Sequence, residues 1–184
     1  MPCLSWTESP ITCPASSSTA SRWPEAGSYN PTSSQYSPGG ASSFNGMRYW
    51  SNTVSPAVLE PGKKLLLTLV WRADRPPTMA YTVFTHLVGP DGMLYGQWDN
   101  PPVRGTYPTT DWSAGETVFD QYLIPLKEDA PLGEYRLLVG LYDPASGQRL
   151  AVLDEQGQAA GDAVQLSQGV VVQQGNQGDS DSKK

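Results

Sequence analysis

Apolar and polar positions alternate with a period of two through most of residues 46–173. In the stretch EYRLLVGLYDPASGQRL, Glu134–Leu150, the side chains of Tyr135, Leu137, Val139 and Leu141 fall on one face, as a strand packed on a core requires. Asp143-Pro144-Ala145-Ser146-Gly147 then supplies turn chemistry, and Gln148-Arg149-Leu150 begins a returning strand. In Lys63–Ala73 the residues Leu65, Leu67, Leu69 and Trp71 share one face, and Leu66, Thr68, Val70 and Arg72 share the other. Burying Trp71 alone would hide about 150–250 Å².

The same grammar gives a weak strand over Met47–Thr53 and, after a break at Asp74–Pro77, another over Ala80–Val88. Pro90-Asp91-Gly92 is a hairpin signal that leads into Met93–Trp98. Asn100–Glu116 is too rich in Pro and Gly for regular structure, and Thr117–Ile124 resumes the alternation. Ala151–Leu153 extends the returning arm of the hairpin, and Val164–Gln173 closes the set. Seven or eight strands at near-regular spacing, with no amphipathic helix, predict an all-β antiparallel sandwich over residues 45–173.

The flanks differ in kind. Residues 1–44 are dominated by Ser, Thr, Pro, Gly and Tyr without hydrophobic periodicity, and read as a disordered or extended arm or linker. Trp23, Tyr29, Tyr36 and Phe44 would let such an arm pin itself to a neighbouring surface, including another copy's sheet. Residues 174–184 carry no apolar side chain and read as a disordered tail. Cys3 and Cys13 both lie in the arm, so a bond between them would staple only that segment.

Composition narrows the function classes. With 12 basic and 18 acidic side chains the net charge is −6, which opposes binding to nucleic acid or anionic lipid. No run reaches the roughly 18 apolar residues of a membrane-spanning helix, so no membrane insertion is expected. No basic-then-apolar leader is visible. A cytosolic protein, a mature form that has lost a signal, and a piece of a larger chain all fit that pattern.

Taken together, PGKKLLLTLVWRA, YTVFTHLVGPDG, GTYPTTDWSAGE and APLGEYRLLVGLYDPASGQRL resemble a bacterial immunoglobulin-like β-sandwich domain. Domains of that family stand at the extracytoplasmic C-terminus of multi-pass membrane glycosyltransferase-like proteins, and sometimes alone. The resemblance covers residues 46–173. It implies an immunoglobulin-like fold and an extracytoplasmic or cell-surface setting, and it supplies no catalytic residue and no ligand.

Chemistry is sparse. His86 is the single histidine, no G-x-S-x-G elbow accompanies it, and its plainest reading is a side chain satisfied by a neighbouring strand or loop. One histidine and two arm cysteines do not make a zinc site. Asp99, Asn100 and Asp111 were they to converge would suit Ca²⁺, but no metal-loop spacing is present. Asp99, Asp111, Glu116 and Asp120 border the long connection; two could form a glycosidase-type pair, although carboxylates also anchor loops in small sandwiches. Asp143 and Arg149 are expected to pair across their turn, and Tyr135 to make a corner-type hydrogen bond.

Aromatic rings beside amides and carboxylates suit sugar recognition, which selects Trp98, Asp99, Tyr107, Asp111 and Trp112 as candidate ligand-binding residues. The competing reading folds the connection back, with Tyr107 and Trp112 plugging one end of the sandwich. The expectation is therefore a non-catalytic extracytoplasmic interaction or assembly module, with no cofactor or metal, whose partner is a protein surface or a polysaccharide. The alternatives are a carbohydrate-binding accessory domain and a surface-filament subunit that self-associates through its N-terminal arm.

Overall fold

In the computed structural model, residues 37–38 and 42–175 are described. The expectations for the arm before residue 37, for Cys3 and Cys13, and for the tail beyond residue 175 lie outside the described residues. The first strands are β1 (Ser37–Pro38), β2 (Ser43–Phe44), β3 (Met47–Ser55), β4 (Val58–Leu59) and β5 (Lys64–Ala73). Next come β6 (Thr82–Val88), β7 (Leu94–Gln97), two 3-10 turns η1 (Pro102–Gly105) and η2 (Thr109–Asp111), and β8 (Thr117–Pro125). The chain ends with β9 (Gly133–Tyr142), β10 (Val152–Leu153), β11 (Ala159–Gly161), β12 (Val164–Gln165) and β13 (Val170–Val172).

These strands form an all-β sandwich. The first sheet runs β11-β10-β2-β3-β5-β8, with β1 also on β3; the second runs β4-β13-β9-β6-β7, with β12 also on β9. Every pairing is antiparallel except that of β13 with β4. Strands β3, β5, β6, β7, β8 and β9 have four or more residues and match the expected ones to within two or three residues. The remaining strands are rungs of two or three residues, too short for alternation to reveal.

The alternation places the core. Leu65, Leu67, Leu69 and Trp71 on β5 face Tyr135, Leu137, Val139 and Leu141 on β9, and all eight are buried. Phe44 and Tyr49 meet the Trp71 ring edge-on, at centroid distances of 6.0 and 6.3 Å. Phe44 belongs to β2, so the first sheet begins inside what composition reads as arm. The Tyr135 hydroxyl donates to the Pro131 carbonyl at 2.9 Å, the corner expected from the sequence.

The β9 hairpin departs from expectation. Its return touches β9 only at the Tyr142–Arg149 bridge, where Leu150 N–H also donates to Leu141 O. The chain then crosses to the first sheet, where β10 pairs with β2 and buries Val152, before β12 returns to β9. Asp143 does not pair with Arg149. Its carboxylate accepts from the Ala145 N–H at 2.9 Å and the Ser146 hydroxyl at 2.6 Å, donors that the turn itself holds within reach. Arg149 pairs instead with Asp162, at 3.1 Å.

Because Trp71 joins the two sheets and the N-terminal strand β2, Trp71→Ala is expected to cost about 3–5 kcal/mol of stability. Urea unfolding would check this, with Leu66→Ala on the outward face of the same strand losing far less.

Candidate functional site

The five residues proposed from sequence do not share one surface. Trp112 is 2% exposed, its ring sits in the core, and its indole N–H donates to Tyr107 O at 3.2 Å. It cannot stack on a ligand, because η2 turns the chain so that the ring closes the end of the sandwich. Tyr107 is half-buried and its hydroxyl donates to Glu116 at 2.8 Å. Asp111 ends η2 and accepts from the Thr110 hydroxyl at 3.3 Å. Trp98 and Asp99 remain exposed, at the margin of the second sheet.

Asp99 stands on the outer face of that sheet. The β6–β7 ladder pairs His86 with Gln97, and the bridge of Val83 with Asn100 keeps the same register, setting Asp99 beside Phe84. Trp98 aligns with Thr85, which faces inward; the Thr85 hydroxyl donates to Trp98 O at 2.7 Å, and the ring emerges at the rim, 44% exposed.

Phe84 is the floor of this face. It pairs with Gly140 on β9, and a Cβ at Gly140 would overlap the Phe84 ring. The missing side chain lets the ring lie flat across the strand. The Arg149 guanidinium caps that ring 4.2 Å from its centroid and is itself held by Asp162. The His86 imidazole also packs on Phe84, tilted, at a centroid distance of 4.9 Å. Loss of water around His86 lowers its pKa from 6.5, with Asp99 and Asp162 opposing and Arg149 reinforcing the shift. The imidazole is neutral at pH 7.

The carboxylates divide by what they hold. Asp120 is buried on the inner side of β8 and accepts from the Val103 N–H at 2.9 Å and from the Tyr122 hydroxyl. That contact fixes η1, where Val103 and Arg104 both adopt positive φ, at 52° and 56°. Glu116 accepts from Tyr107 and from Ser113 N–H, and Asp91 from Met93 N–H and the Tyr95 hydroxyl. All are loop anchors. By contrast, Gln97, Asp99 and His86 make no side-chain hydrogen bond among the described residues, and their polar groups lie side by side on a rigid sheet. A shallow cleft where β7 meets the end of β8, walled by Tyr95, Leu126 and Lys127, adjoins Gln97. No three His, Cys, Asp or Glu side chains gather to hold a metal ion among the described residues.

The fold defines the chain as a β-sandwich domain. Among solved structures it is similar to the one described as the C-terminal domain of wzt, with a TM-score of 0.51 and 13% identity. The match covers 77% of this chain and 82% of that one, and at this identity it speaks to the fold alone. No protein-family model and no curated protein sequence matches the chain. Among the described residues no helix is long and apolar enough to cross a membrane.

Two titrations follow from this geometry. Burial pushes the Asp120 carboxyl above its ordinary range, against the pull of the Tyr122 and Val103 hydrogen bonds. An acid that keeps its proton more readily when folded favours the folded state at low pH. That advantage is lost as pH rises past the unfolded value of about 3.9 and through the higher folded one. Wild type is therefore expected to lose stability relative to Asp120→Asn as pH rises from about 4, read from urea midpoints. The His86 imidazole is expected to titrate below 6.5 by NMR, lower still in Asp99→Asn and higher in Arg149→Gln.

Proposed function

We propose that the protein is a non-catalytic binding module that recognises an uncharged polysaccharide on the outer face of its second sheet. The observation that carries this reading is the row formed by Gln97, Asp99 and His86. An amide, a carboxylate and a neutral imidazole stand on adjacent strands with their hydrogen-bonding capacity uncommitted, while the other carboxylates named above anchor loops. Such groups match the paired hydroxyls of a sugar ring.

Charge selects among glycans. Asp99 carries an unneutralised negative charge, Arg149 is neutralised by Asp162, and His86 is uncharged at pH 7. An acidic sugar would meet repulsion here. His86 packs on Phe84 and Asp120 is buried under η1, which favours a binding role over a hydrolytic one. The resemblance to domains attached to membrane glycosyltransferase-like proteins supports an extracytoplasmic setting, where polysaccharides are the abundant ligands.

Calorimetric titration with neutral and uronic-acid polysaccharides tests this. Saturable binding to a neutral glycan is expected, weakened roughly tenfold or more by Asp99→Ala or Gln97→Ala. Thr110→Ala, in the connection that carries η2, is expected to leave it unchanged. Binding that prefers uronic acids, or that survives both sheet variants, would overturn the reading.

A further inference from the structure

The first sheet ends in the edge strand β8, which meets β7 only past its own end, at the Gly96–Leu126 bridge. β8 is nine residues long, and its register with β5 runs from Thr117 to Pro125 without a bulge. Exposed edges are normally blunted by lysines, prolines, bulges, inward-pointing charges, covering loops or short length, because their free N–H and C=O groups template further pairing; of these β8 has a terminal proline and one inward-turned charge. The strand's single charge, Asp120, is turned into the core and held there by Val103 and Tyr122. Its outward face reads Thr117, Phe119, Gln121, Leu123, Pro125, with Phe119 61% and Leu123 45% exposed.

That face is self-complementary about Gln121. An antiparallel pairing of β8 with itself, centred on Gln121, sets Phe119 opposite Leu123 of the second copy, and Thr117 opposite Pro125. The rows behind the edge obey the same symmetry. Leu66 is paired with Leu123, Thr68 with Gln121, and Val70 with Phe119. Across such a junction Leu66 and Leu123 of one copy would continue into Phe119 and Val70 of the other, an unbroken apolar row over four strands. Gln121, whose amide already reaches the Thr68 hydroxyl at 3.4 Å, would meet its own counterpart. No like charges are opposed: Lys64 and Arg72, at opposite ends of β5, would lie in one row but separated by Pro125 and Thr117. Cross-strand pairs of this kind, and the absence of repulsion, are what select a register.

We infer that the protein forms a twofold symmetric dimer by pairing β8 with β8 of a second copy, joining the two first sheets into one. The partner is thus the same chain, and the interface is isologous. It uses the edge of the first sheet, whereas the glycan site lies on the outer face of the second, and the two approach each other only at the cleft shared by Pro125 and Gln97.

Sedimentation of the full chain at micromolar concentration provides the test, together with Phe119→Lys, Leu123→Lys and a Gln121→Cys variant made in a Cys3→Ser, Cys13→Ser background. The wild type is expected to sediment as a dimer, and each lysine variant as a monomer with an unchanged circular dichroism spectrum. Gln121→Cys is expected to cross-link to itself under mild oxidation, reversibly with reductant, because only a residue on the twofold axis meets its own copy. A wild type that stays monomeric, a dimer that survives Phe119→Lys, or a dimer in which Gln121→Cys fails to cross-link would each overturn the inference.

Discussion

Burial of Trp71 between the sheets is the constraint on which the rest of the molecule depends. Its indole closes against Phe44 and Tyr49 of neighbouring strands, and the leucines before it on β5 press on the inward row of β9. A two-layer sandwich has no other way to shield two apolar faces, and the period-two rule then dictates every outward position as well. Both surfaces discussed above, the polar one on the second sheet and the apolar one beside β8, are the unburied halves of strands whose other halves make that contact.

This explains what could be read without coordinates. Leu65, Leu67, Leu69 and Trp71, or Tyr135 through Leu141, announce their burial because alternation over eight or more residues has few other causes. Rungs such as Val58–Leu59 or Val152–Leu153 leave no such trace, since two residues have no period. The crossing of the chain to the first sheet after Arg149 depends on where β2 lies, a contact across more than a hundred residues that no local signal carries.

Legibility of the candidate site was lower for a similar reason. Aromatic and carboxylate residue types around the long connection were visible, but their roles turned on which neighbours occupy them. Trp112 and Trp98 are chemically alike, yet one closes the core while the other stands at the rim. Gln97 and His86 are brought together only by cross-strand register, and Arg149 joins them only through its contact with Phe84. A histidine in a strand pattern gives no hint that a ring will sit beneath one side of it and a carboxylate beside it.

The glycine beneath Phe84 has an evolutionary corollary. Gln97, Asp99 and His86 project from a sheet whose stability is set on its opposite face, so substitutions among them leave the core intact and tune only what the surface meets. Gly140 has no such freedom: any side chain there displaces the Phe84 ring and, with it, the seat of Arg149. Within a lineage, three positions on this face can therefore diverge rapidly while a fourth, buried beneath them, stays fixed.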